Sequence, residues 1–113
     1  MKYLEFKGYT GSIEYSQEDN LLYGKVLGIK GLISYEGETG QLLEADFKEA
    51  IGVYLADCKA TGKSPEKPFK GSFNVRIPAT LHQKAALLAM ETKTSLNNLV
   101  ADAIRSRVTK EGI

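Results

Sequence analysis

The sequence predicts an α+β protein in two modules: a three-stranded antiparallel sheet with one helix, then a short strand followed by two helices. Three observations carry this reading. Residues 9–35 hold three runs of strand character separated by polar or glycine-containing turns, and residues 43–58 repeat apolar side chains at helical spacing. Residues 72–78 alternate apolar and polar side chains up to a proline, and two short helical patterns follow. The two ends of the 113-residue chain also differ in character, since all six tyrosines lie before residue 60. Residues 1–69 carry eight lysines against eleven acids, a net −3, whereas residues 70–113 carry seven bases against three acids, a net +4. Length alone allows one domain or two very small ones, and the contrast favours two. The expected division is 1–62, a linker over 63–70, and 71–113.

In the first module, residues 9–16 and 21–28 read as strands joined by the polar turn Gln17-Glu18-Asp19-Asn20, a length suited to a hairpin. A third strand over about 31–35 ends at Glu36-Gly37-Glu38, which completes a meander. Leu43, Phe47, Ala50, Ile51, Tyr54, Leu55 and Cys58 then form one broad apolar stripe of a helix. Glu44 and Asp46 are read as in or near its first turn, where the helix dipole favours negative charge. Gly62 and Pro65 close it, and Cys58 falls on the apolar stripe as a core residue. A sheet covered by one helix is a plausible two-layer unit. Pro65 and Pro68, set among charged residues, make the linker stiffer than a glycine-serine one.

In the second module, Phe73, Val75 and Ile77 alternate with Ser72, Asn74 and Arg76, so one strand face is apolar and the other polar. Arginine bonds guanine O6 and N7 in a bidentate fork, asparagine does the same to adenine, and a two-stranded ribbon fits the major groove of DNA. Pro78 ends the strand. The first helix offers Leu81, Ala85 and Leu88, and the second, opened by Thr94-Ser95-Leu96-Asn97, offers Leu96, Leu99, Val100, Ala103, Ile104 and Val108. Thr94 or Ser95 alone would only cap a helix; with the strand at fixed spacing, the helix start also offers N–H groups and a positive dipole end to a phosphate. One copy cannot bury these apolar faces together, so a homodimer or a tetramer is expected, and a dimer would double the tail's charge to about +8. The link Glu91-Thr92-Lys93-Thr94 lacks the glycine that a left-handed helix end favours.

Residues 72–108 resemble a ribbon-helix-helix domain of the Arc and MetJ type, in which two chains each donate a strand to an antiparallel ribbon. The resemblance implies that Ser72, Asn74 and Arg76 face the major groove of operator DNA and that Ser95, Leu96 and Asn97 meet a phosphate. The first module is similar to the HicB family through Gly11-Ser12-Ile13, Tyr23 to Ile29, Tyr35 to Thr39, Leu42 to Ile51 and Gly62 to Pro68. That resemblance implies a partial ribonuclease-H-like fold, a HicA-like mRNA-cleaving toxin as partner, and autorepression of the operon by an antitoxin. The toxin-contacting surface is not readable; exposed helix residues such as Glu44, Lys48 and Glu49 are candidates. The competing reading is a stand-alone repressor whose first module senses a ligand or protein.

Enzymatic chemistry finds little support. Glu14, Asp19, Glu36 and Glu38 are the carboxylates a two-metal nuclease would need, but they read as solvated loop residues. One histidine and one cysteine cannot build a usual zinc site within a chain. A Ser-His-Asp triad would have to recruit His82 from the first helix of the second module, and no Gly-x-Gly-x-x-Gly or P-loop pattern occurs. No enzyme activity, cofactor or metal is expected. The longest apolar run near the tail, Ala85 to Met90, falls well short of the ~20 residues a bilayer needs. With no signal-peptide pattern either, a cytoplasmic, membrane-free protein is expected.

Overall fold

The computed structural model describes residues 2–113 and divides into two units, Met1–Ser72 and Phe73–Ile113. The protein is α+β, with small antiparallel sheets and three helices. The first unit runs β1 (Leu4–Phe6), β2 (Tyr9–Gly11), β3 (Glu14–Ser16), β4 (Leu21–Lys25), β5 (Ser34–Gly37) and α1 (Gly40–Thr61).

Strands β3, β4 and β5 form the antiparallel meander expected from the sequence, in the order β3-β4-β5. The run read as one strand over 9–16 is broken at Ser12 and Ile13 into β2 and β3. An isolated bridge between Gly11 and Val26 continues the pairing past the break. Ser12 holds it closed: its N–H donates to Lys25 O at 3.0 Å and its Oγ accepts from Lys25 N at 3.0 Å. The Tyr35 hydroxyl donates to Ser12 O at 2.7 Å, which satisfies the carbonyl that the break exposes. This approach needs glycine at Gly24, where a Cβ would lie 2.0 Å from Ser12 O.

Strand β1 was not expected from the sequence, and with β2 it forms a separate two-stranded sheet. It pairs with β2 through a two-residue turn at Lys7 and Gly8, whose φ values of 50° and 83° are those of a type I′ hairpin.

Helix α1 starts at Thr39, whose Oγ1 accepts from Leu42 N at 3.1 Å, and ends at Gly62 with φ 72°. Leu43, Phe47 and Ile51 recur every four residues and are buried against Tyr9, Val26 and Tyr35. Cys58 is buried further along the same stripe. The first turn of α1 carries no acid, so Glu44 and Asp46 do not act there as the sequence reading held. Asp46 serves the sheet instead: its carboxylate accepts from Glu36 N at 2.8 Å and covers an otherwise open edge of β5.

The second unit contains α2 (Ala79–Glu91) and α3 (Leu96–Lys110). The turn between them is a Schellman arrangement, with Thr94 N donating to Ala89 O at 2.9 Å and Lys93 N to Met90 O at 3.2 Å. The left-handed position falls on Lys93, φ 57°, where a side chain is strained. Lys93→Gly should therefore stabilise this unit by about 1 kcal/mol. Chemical denaturation checks it, and an unchanged or lower midpoint would show that the lysine is not strained there.

Candidate nucleic-acid interface

Within one chain the segment 72–78 is not a strand. Among the described residues, no hydrogen bond of Ser72 to Ile77 is made, so their N–H and C=O groups form an unpaired row. This departs from the strand expected there: within the chain the segment has no ladder partner. Ser72, Asn74 and Arg76 are exposed. So are Phe73, Val75 and Ile77, at 71%, 60% and 42% of their surface, although their alternation is that of a buried face.

The helices show the same pattern. Ala89 is buried where α2 meets α3, with Ala85, Ala86, Leu96 and Leu99 half-buried beside it. Helix α3 buries no residue fully, and Val100, Ile104 and Val108 remain exposed, as do Leu81 and Leu88 of α2. A single copy thus leaves both halves of its apolar pattern in water. Each such side chain gains about 1.5–3 kcal/mol when fully covered.

Ser95 caps α3. Its φ and ψ are −81° and 156°, and its Oγ accepts from Asn98 N at 3.0 Å. Leu99 N bonds Ser95 O at 3.0 Å, so the first intrahelical bond falls after Leu96 and Asn97. The N–H groups of those two residues therefore point out of the helix end without an intrahelical acceptor. Of the cations of α3, Arg105 pairs with Asp102 at 2.7 Å and Arg107 with Glu111 at 3.2 Å. Both pairs are solvent-exposed and contribute little to stability.

In the first unit, the sheet face turned away from α1 is bare. The register sets Glu14, Tyr23 and Glu36 side by side across β3, β4 and β5. An open groove beside them is lined in part by Asp19, Tyr23, Glu36 and Asp46. Sequence reasoning read Glu14, Asp19 and Glu36 as solvated loop carboxylates and so missed that the strand register sets Glu14 and Glu36 on either side of Tyr23. Glu44, Lys48 and Glu49 lie exposed on α1, and His82 is exposed on α2. Among the described residues, no group of three or more His, Cys, Asp or Glu side chains is placed to hold a metal ion. Among the described residues, no helix is long and apolar enough to cross a membrane.

A model of the HicB family matches residues 54–104. That stretch runs from the last turns of α1, through the connecting residues and the exposed segment, into α3, so it draws on both units. Over that stretch, a little under half of its length, the chain is similar to the HicB family. No curated protein and no solved structure matches the chain.

Proposed function

We propose that this protein is the antitoxin of a type II toxin–antitoxin pair, that it neutralises a HicA-like mRNA-cleaving toxin, and that it represses its own operon by binding operator DNA as a dimer. The observation that carries the DNA-binding half is the exposed, unpaired segment 72–78 beside helices whose apolar faces are also uncovered. Two copies would pair these segments as an antiparallel ribbon, turn Phe73, Val75 and Ile77 onto the helices, and leave Ser72, Asn74 and Arg76 on the outer face. That is the ribbon-helix-helix arrangement, and such a ribbon enters the major groove. The N-termini of α3, with free N–H groups at Leu96 and Asn97 behind Ser95, then meet the flanking phosphates.

The antitoxin half rests on the family match and on the acidic balance of residues 1–69. Opposite charge on a basic toxin would mainly speed encounter. Two surfaces of the first unit are open to a partner: the outer residues Glu44, Lys48 and Glu49 of α1, and the bare sheet face at Tyr23. We read the protein as a binding and regulatory molecule rather than an enzyme. A partial ribonuclease-H-like descent of the first unit accords with its sheet-and-helix layering.

The test is purification of the tagged chain from its host at moderate salt, with mass spectrometry of what co-elutes. A stoichiometric small basic protein is the expected result. Recovery of promoter DNA with no protein partner would instead favour a stand-alone repressor.

A further inference from the structure

The residues expected to act as a linker are fastened to the first unit. Glu66 is the centre of the fastening. Its carboxylate accepts from the backbone N–H of Lys30 at 2.7 Å and of Gly31 at 3.0 Å. Its own N–H donates to the Tyr54 hydroxyl at 2.8 Å, and its carbonyl accepts from the Tyr9 hydroxyl at 2.9 Å. Three residues on, Phe69 N donates to Gly28 O at 3.3 Å, and the Phe69 ring lies where a Cβ of Gly28 would be, 2.7 Å away. Gly28 has φ 78°, so glycine is needed there for both reasons.

Phe69 itself has φ 49°, a conformation that a bulky side chain adopts only when its surroundings impose it, while its side chain stays 66% exposed. A strained, exposed aromatic at the end of a hydrogen-bonded strap is under tension that release would relieve.

We propose that residues 63–69 form a latched tether that sets how far the two units can separate. Latched, the free connection is Lys70 to Ser72, a reach of about 10 Å; unlatched, it begins after Gly62 and reaches about 35 Å. The latch grips the loop between β4 and β5, so loop and tether move as one: whatever displaces the loop lengthens the tether. This device holds whether the partners are a toxin and an operator or others, because it lies wholly within Met1–Ser72.

The latch also depends on charge. Hydrogen bonds from Lys30 and Gly31 hold the Glu66 carboxyl below its usual value of 4.5, with a smaller contribution from the Lys30 ammonium. The charged and titratable groups around it are Lys30 on the loop, Tyr9 on β2 and Tyr54 on α1. A depressed carboxyl stabilises the latched form fully above about pH 4.5 and loses that contribution as pH falls through its folded value.

The experiment is pulsed EPR on the full chain with one spin label at Lys59 on α1 and one at Lys110 on α3, near neutral pH. Glu66→Gln, and separately Phe69→Pro, which lacks the N–H given to Gly28 O and cannot adopt a positive φ, should widen the inter-unit distance distribution, up to roughly twofold relative to the parent, in line with the square root of tether length. Near-ultraviolet circular dichroism of the tyrosines confirms that the first unit remains folded in each variant. Hydrogen exchange at Lys30 and Gly31 should accelerate in Glu66→Gln. Equal widths in parent and both variants, with the first unit folded, would overturn the proposal.

Discussion

Phe47→Ala should destabilise the first unit by about 3–5 kcal/mol, the usual cost of deleting a buried aromatic ring. Phe47 is fully buried at the centre of the cluster formed by Tyr9, Val26, Tyr35, Leu43 and Ile51. Its ring meets that of Tyr35 edge-on, with centroids 5.0 Å apart and planes at 65°, an arrangement worth a further ~1 kcal/mol beyond the area covered. It also lies over Gly11, where a Cβ would come within 2.7 Å of the ring, so no neighbouring side chain stands ready to fill the space. Removing the ring frees Tyr35, and with it the hydroxyl that closes the break at Ser12. Domains of this size have about 5–15 kcal/mol in total. The variant should therefore lie near its unfolding midpoint in water, and urea titration followed by tyrosine fluorescence would show it. Phe47→Leu, which keeps most of the volume, should lose well under half as much. A loss below about 1 kcal/mol in the alanine variant would mean that the core closes around another residue.

Helix α1 was legible from the sequence because one residue type, the apolar, recurs at one period, and Phe47 and Ile51 landed on the buried side without tertiary information. Its end was legible too, since Gly62 supplies the left-handed position cheaply. The meander was read with its broad limits, but the break at Ser12 was not. That break depends on the Tyr35 hydroxyl, which comes from 23 residues away, and no local pattern records such a bond. Strand β1 escaped for a different reason, because its turn uses lysine rather than asparagine at the first left-handed position of Lys7-Gly8. The role of Glu66 was hidden in the same way: a glutamate between two prolines reads as solvated, and only the fold brings Lys30 and Gly31 to it. At the candidate interface the sequence and the single chain differ. The alternation from Ser72 to Ile77 reads as a strand, yet within one chain those residues form none, because no neighbouring segment pairs with them.

Arg76→Ala should weaken operator binding by about 1–3 kcal/mol, roughly 5- to 150-fold, and relax the base preference at one position of each half-site. The reasoning starts from the alternation. If Phe73, Val75 and Ile77 turn inward on pairing, Arg76 turns outward with Ser72 and Asn74, on the face that a major groove receives. Among the described residues Arg76 makes no ion pair or hydrogen bond, so truncating it removes no contact of the folded chain. Its loss is therefore read in binding and not in stability. Ser95→Ala provides the contrast. Its hydroxyl caps α3 through Asn98 N, so the variant loses about 1 kcal/mol of stability. It also loosens the N–H groups that would meet a phosphate, which weakens operator and scrambled duplex alike, because phosphate contacts position without specifying sequence. Fluorescence anisotropy with both duplexes, at two salt concentrations, separates the cases. Arg76→Ala should lower the ratio of operator to scrambled affinity, whereas Ser95→Ala should leave that ratio unchanged. An Arg76→Ala protein with undiminished affinity and an identical footprint would remove the outer strand face from the groove.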